Sequence, residues 1–196
     1  KNIADPAFML TPYETAVATS YGSTWTQFGS TMYGDSTGNS FSAGIALSKD
    51  GTVMAVSAPG NDSAGTDRGF VKVFKWNSST SSWGQRGGTF FGINNNDFLS
   101  WSVSLSSDGN IIAFSYYESA IYTQSATTRG YVGVFYYDAN KVTAITDTSG
   151  STFGPIGWTR LGGFIYNEAI GDNGNSLCLS GNGKIIAIGC GANDGT

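Results

Sequence analysis

The sequence contains no histidine, and that absence removes more chemistry than any other feature of it. A chain without imidazole has no Ser-His-Asp or Cys-His nucleophile system, no histidine general base and no His-ligated zinc, iron or copper centre. Charge is also scarce, at 12% of residues, about half the usual share. The ten Lys and Arg residues are scattered singly against fourteen Asp and Glu, for a net charge of −4. Such a chain carries no electrostatic footprint for a phosphate backbone or an anionic membrane, so nucleic acid is not an expected partner. Long apolar runs are missing as well. Ile185, Ile186, Ala187 and Ile188 form one of the longest, far short of the roughly 20 residues needed to cross a bilayer, so membrane insertion is not expected.

What remains is rich in Gly, Ser, Thr and Asn, with aromatics at 14% and short clusters of Val, Ile, Phe, Tyr and Trp throughout. Disordered chains lack such clusters. The composition reads as all-β with many turns.

The chain repeats itself. One copy runs W-T-Q-F-G-S-T-M-Y-G from Trp25, then F-S-A-G-I-A-L-S-K-D-G-T-V-M-A-V-S-A-P, then R-G-F-V-K-V-F-K-W. A second opens W-G-Q-R-G-G-T-F-F-G at Trp83 and a third W-T-R-L-G-G-F-I-Y-N at Trp158. The distance from the opening Trp to the turn glycine (Gly51, Gly109, Gly183) is 26, 26 and 25 residues. A fixed period of this kind sets the fold class. Each copy reads as four strands, with a central hairpin closed by S-K-D-G, S-S-D-G or S-G-N-G, where glycine supplies a positive φ. The returning strand is apolar on both faces, Met54 and Val56 on one and Val53 and Ala55 on the other, so both faces of the sheet must be covered. The expected divisions are residues 1–24 as an N-terminal arm or edge strand, 25–82 and 83–157 as full units, and 158–196 as a truncated third. A loop insertion rich in Thr, Ser, Gly and Asp spans 138–157.

The motif F-x-x-x-x-A-L-S-x-D-G, the exit Ala55 to Pro59 and the strand Gly69 to Phe74 resemble the FG-GAP type of β-propeller repeat, found in integrin α-subunit heads and in secreted repeat proteins. The resemblance implies four-stranded antiparallel blades. It departs at the second and third exits (Ser115-Tyr116-Tyr117; Gly189-Cys190-Gly191), and the D-x-D-x-D-G calcium loop of the integrin form is absent near Ser48 to Gly51. Propellers close with four to eight blades. Two units and part of a third are therefore expected to be a fragment of a longer propeller; a ring completed by several copies, or a missing strand supplied by residues 1–24, are the alternatives.

Candidate sites are few. Trp25, Trp83 and Trp158, one per unit at a fixed register, are expected as packing positions; burying about 200 Å² at about 25 cal/mol/Å² is worth up to roughly 5 kcal/mol each. The aromatics that do not recur, Trp101, Tyr116, Tyr117, Tyr122, Tyr136 and Tyr137, are the candidates for a contact surface. Asp62 and Asp67 share a loop with Asn61 and could contribute to a calcium site, although two carboxylates make a weak one. Otherwise no cofactor is expected. Asn61 and Asn77 lie in N-x-S sequons. Cys178 and Cys190 lie on the two arms of the third hairpin, offset by about four residues or about 13 Å, beyond bridging distance. They are expected as buried free thiols. Acidic residues for glycosidase chemistry (Asp97, Glu118, Asp138, Glu168) have no recognisable setting, and the chain is not expected to be an enzyme.

The sequence thus leads to a non-enzymatic, extracellular structural or adhesive module whose partners are other protein chains or further units of its own kind. A glycan-binding, lectin-like propeller is the alternative.

Overall fold

The computed structural model describes residues 25–116, 130–168 and 174–190, together with the backbone of 14–20. The chain is all-β there, built from antiparallel sheets. In chain order the strands are β1 (Glu14–Ser20), β2 (Trp25–Tyr33), β3 (Ile45–Leu47), β4 (Val53–Ala58), β5 (Phe70–Asn77), β6 (Ser82–Gln85) and β7 (Phe90–Phe91). They continue as β8 (Val103–Leu105), β9 (Ile111–Tyr116), β10 (Tyr131–Tyr137), β11 (Trp158–Arg160), β12 (Ile165–Tyr166), β13 (Gly174–Leu179) and β14 (Ile186–Cys190).

Two sheets are complete. The first runs β3-β4-β5-β6 with β7 also on β5; the second runs β8-β9-β10-β11 with β12 also on β10. Two half-sheets flank them, β1-β2 and β13-β14. The sheets straddle the boundaries drawn from the sequence. The strand holding Trp83, which opens the second sequence copy, is the outer strand of the first sheet, pairing Trp83 with Trp76. Trp158 likewise pairs with Tyr137 of the second sheet. A structural unit therefore starts one strand later than the repeat, and each sequence copy links two sheets. Glu14–Ser20, within the N-terminal segment, pairs with β2 as the third strand of such a sheet.

The sheets stack face to face in chain order, and period-two alternation assigns their faces. In β4, Met54, Val56 and Ala58 pack with Phe41 and Phe70 toward Phe28 and Met32 of β2. The opposite face, Val53 and Ala55, packs into the largest core with Ile112, Phe114, Phe135 and Trp158 of the second sheet. In β9 the other face supplies Ile111 and Ala113, which meet Leu177, Leu179, Ile186 and Ile188 of the β13-β14 hairpin. Every residue of β4 is consequently buried.

The three central hairpins close on one side-chain network. Ser48 Oγ donates to Asp50 Oδ1 at 2.6 Å, Thr52 N donates to the same oxygen at 3.0 Å, and Val53 N donates to Ser48 Oγ at 2.9 Å. Ser106, Asp108 and Asn110 repeat the distances. In the third turn Asn182 replaces the carboxylate and accepts from Ser180 Oγ at 2.9 Å and Lys184 N at 3.0 Å. Gly51, Gly109 and Gly183 have φ of +71°, +66° and +68°, which a side chain would strain.

The serine hydroxyl first, then the backbone N–H, hold the Asp50 and Asp108 carboxyls below their ordinary range. A depressed folded-state value stabilises the fold above the unfolded carboxylate value of about 4 and is lost as pH falls through the folded value. The urea midpoint is expected to be level near neutral pH and to drop below about pH 4. Asp50→Asn with Asp108→Asn should flatten that acid limb by lowering the midpoint at pH 7 slightly toward its acid value, the turns themselves surviving because the third turn already uses asparagine.

Candidate functional site

The structure places its most regular chemistry at the seams between sheets. In the first seam, Trp83 Nε1 donates to the Phe28 carbonyl at 3.3 Å. In the second, Trp158 Nε1 donates to the Arg86 carbonyl at 3.0 Å. Each accepting residue precedes a glycine with positive φ, Gly29 (+84°) or Gly87 (+76°). The indole lies so close that a Cβ could not be added. At Gly29 it would meet Trp76 at 2.7 Å and Trp83 at 2.9 Å, and at Gly87 it would meet Trp158 Nε1 at 2.6 Å. A side chain two residues before each glycine fixes its carbonyl: Gln27 Nε2 to Gly29 O at 3.0 Å, and Gln85 Nε2 to Gly87 O at 3.1 Å. The motif W-x-Q-x-G is thus both the key and the seat of a seam, its Trp reaching back to the preceding sheet and its Gly receiving the next Trp.

Two further contacts repeat at the hairpin turns. The turn Gly109 sits on Val53, and Gly183 on Ile111, with a Cβ meeting those side chains at 2.6 and 2.5 Å. Lys49 N donates to Ser107 O at 2.9 Å, and Ser107 N donates to Gly181 O at 2.7 Å, so that equivalent turn residues form a chain from sheet to sheet. The β13-β14 half-sheet is tied to the second sheet by Leu177 N and Leu179 N, which donate to Ser102 Oγ (3.1 Å) and Ser104 Oγ (2.9 Å).

The three repeat tryptophans therefore differ. Trp158 is fully buried and Trp83 half-buried against Phe28. Trp25, expected as a packing position, is 53% exposed. Its strand is the outer one of the β1-β2 half-sheet, and the described residues contain no preceding sheet for it to reach.

The expected contact aromatics also separate. Trp101 is exposed, and Tyr136 and Tyr137 are half-buried. Tyr116 is a correction: it is 2% exposed and stacks on Tyr131 with centroids 4.6 Å apart. It ends β9 on the face turned to the first sheet, so its ring belongs to the core. Burial, and secondarily the charge of Asp97, push its phenol far above the ordinary range, which keeps it neutral and unsuited to proton transfer. Tyr117 and Tyr122 lie outside the described residues. Tyr137 instead faces a cation, with the Arg86 guanidinium 3.9 Å above its ring.

A cavity of about 580 Å³ opens between the edge of the first sheet and the 138–157 insertion, walled mainly by apolar groups including Phe91, Ile93, Tyr116, Ile145, Phe153 and Ile156. Arg68 lines it, but its guanidinium is engaged with the Gly92 and Ala64 carbonyls. The insertion is held by a residue the sequence did not flag. Lys141 Nζ donates to the carbonyls of Thr152 (2.7 Å), Gly154 (2.9 Å) and Trp158 (2.6 Å). Arg160 acts similarly, spanning Gly162 O at 2.9 Å and Gly150 O at 3.0 Å. A lone cation in a polar loop carries no local signal of such a role.

In the Asn61–Asp67 loop, Asp62 Oδ1 accepts from Asp67 N at 2.7 Å, so that carboxylate is used in closing its own turn. Among the described residues no three His, Cys, Asp or Glu side chains converge to hold a metal. The two cysteines are not bridged to each other, and Cys178 is exposed rather than buried; it pairs with Ala187 while Cys190 pairs with Gly174. Of the four acidic candidates, Asp97 is buried with Oδ2 accepting from Asn94 N, Asp138 accepts from Asn140 N, Glu168 is exposed, and Glu118 lies outside the described residues.

No protein-family model matches the chain, and a search of curated proteins finds no match either.

The two sequons differ in the same physical way. Asn61 is 2% exposed, its Oδ1 accepting from Ser63 N and Oγ and its Nδ2 donating to Asp35 at 3.4 Å. That corrects its reading as a glycan acceptor in the folded chain, whereas Asn77 is exposed at a hairpin tip. Glycopeptide mass spectrometry after passage through a eukaryotic secretory pathway is expected to find glycan at Asn77 and none at Asn61. The tryptophans give a stability contrast. In dilute solution Trp158→Ala should cost about 3–5 kcal/mol, and Trp25→Ala no more than about 0.5 kcal/mol, read from urea unfolding followed by circular dichroism.

Proposed function

We propose that the chain is a non-catalytic structural or adhesive module of an extracellular surface or filamentous assembly, built from β-propeller-type repeats that resemble the FG-GAP family. Its work is protein–protein contact. The observation that carries this reading is the seam itself: a face of small and branched apolar residues, a tryptophan key and a glycine seat, made twice between sheets and offered again at both ends of the stack. Such surfaces are built to be covered by protein. The engaged cations and the turn-bound carboxylates agree with a scaffold rather than a reaction centre.

Exposed Trp101 and the apolar cavity beside Tyr116 support the second reading, a lectin-like propeller that stacks a sugar ring.

Antibody labelling of unpermeabilised source cells, with native mass of the extracted material, tests the first reading. Surface label and a mass well above 20.5 kDa are expected; a freely soluble intracellular monomer would overturn it. A positive glycan array abolished by Trp101→Ala would shift the assignment to the lectin.

A further inference from the structure

The two ends of the described stack carry complementary pairs of strands. The β13-β14 hairpin is equivalent to the inner pair β3-β4 or β8-β9, while β1-β2 is equivalent to the outer pair β5-β6 or β10-β11. In complete sheets the returning strand pairs on both edges, as β4 does with β3 and β5. Among the described residues β14 pairs with β13 alone and β1 with β2 alone.

The exposed faces repeat that logic. Leu161 precedes Gly162, in the register of Phe28 before Gly29 and Arg86 before Gly87. Gly162 has the same positive φ (+69°), and Arg160 Nε donates to its carbonyl at 2.9 Å where Gln27 and Gln85 do so elsewhere. Among the described residues a Cβ built on Gly162 meets nothing within 4 Å, and no described indole occupies its seat. At the other end stands an exposed indole, Trp25. Ile185, in the register of Val53 and Ile111, is 68% exposed, and Gly51, in the register of the turn glycines that cover those residues, also meets nothing within 4 Å among the described residues.

We infer that a second copy of this chain adds head to tail, its β1-β2 half-sheet pairing with the outer edge of β14. This deepens the module reading and rests on it. One geometry satisfies every half-contact. Met54 pairs with Phe74 and Ile112 with Phe135, each two residues from the partner of the repeat tryptophan. The same register sets Ile186 opposite Ala18 of the second copy, which lies two residues before Ser20, the partner of Trp25. That copy's Trp25 then reaches the Leu161 carbonyl over Gly162, its Gly51 covers Ile185, and its Lys49 carbonyl meets the Gly181 N–H. Strand addition supplies backbone hydrogen bonds, and the indole supplies an anchor.

Sedimentation velocity across rising concentration tests this with the 196-residue chain. Wild type is expected to form oligomers, with amide exchange in Ile186–Cys190 slowing as they form. Trp25→Ala disables the head and Ile185→Glu the tail, each weakening self-association by about thirtyfold or more. Mixed together, the two variants retain one working junction per pair and should yield heterodimers and nothing larger, which also shows that both variants fold. A wild type monomeric at every concentration, oligomers that neither variant weakens, or a mixture that behaves like each variant alone would overturn the inference. Surface location in a larger assembly would survive any of those results, so this junction can fail while the module reading holds.

Discussion

The constraint on which the rest of the structure depends is a strand that is apolar on both faces. Burying β4 completely requires protein above and below it, and no single four-stranded sheet can provide that. The stack is the response: Val53 and Ala55 are covered by the second sheet, Met54 and Val56 by β2. β14 shows what happens where the response stops. Ile186 and Ile188 are partly buried against the second sheet, while Ile185, Ala187 and Gly189 on its opposite face are exposed. The alternation is that of β4 and β9 with one partner removed.

Apolar burial alone would let adjacent sheets slide, because it is non-directional. The indole N–H to carbonyl bond and the turn-to-turn backbone bonds provide direction. Glycine at positions 29 and 87 is required twice over, by a positive φ and by an indole inside the volume a Cβ would fill. Arg86 adds to the second seam by reaching Gly109 O at 2.9 Å while covering Tyr137. Its burial between ring and turn explains why its charge was uninformative in the sequence: the guanidinium serves neighbouring carbonyls, not an external anion.

Much of this was legible. The W-x-x-x-G spacing, the S-x-D/N-G turns and the two-faced apolar strand gave antiparallel hairpins, positive-φ glycines and the need for stacking. The unit boundary was misplaced by a strand because sequence similarity has no phase: a cyclic pattern can be cut anywhere, and only pairing shows that Trp83 belongs with Trp76. Tyr116 was misread for a related reason. It occupies a position where the first copy has Ala58, and irregularity looked like a surface feature, although the sheet there opens a larger space filled by Tyr131 and Phe164. Asn61 was not recognisable as buried because a sequon has no term for burial. Lys141 was invisible because what it binds is backbone carbonyl, which every residue carries.

A surface that repeats an internal seam differs from an ordinary hydrophobic patch. The internal copies show the contact to be sterically and chemically complete, with the polar atoms paired along with the apolar ones. An exposed edge strand usually needs guarding against indiscriminate pairing. Here the β14 edge is specified by a glycine seat and a turn donor placed in register with it, so an arbitrary strand that paired with the edge would leave both unfilled. A head-to-tail junction of this kind is heterologous, and such contacts generate a closed ring when the rotation per copy divides a full turn and a filament when it does not. The choice between the two is set by the angle between successive sheets, which is fixed by the residues already packed in the two internal seams. On the proposed junction, the shape of the assembly would be determined by the same indole and turn contacts that hold one chain together.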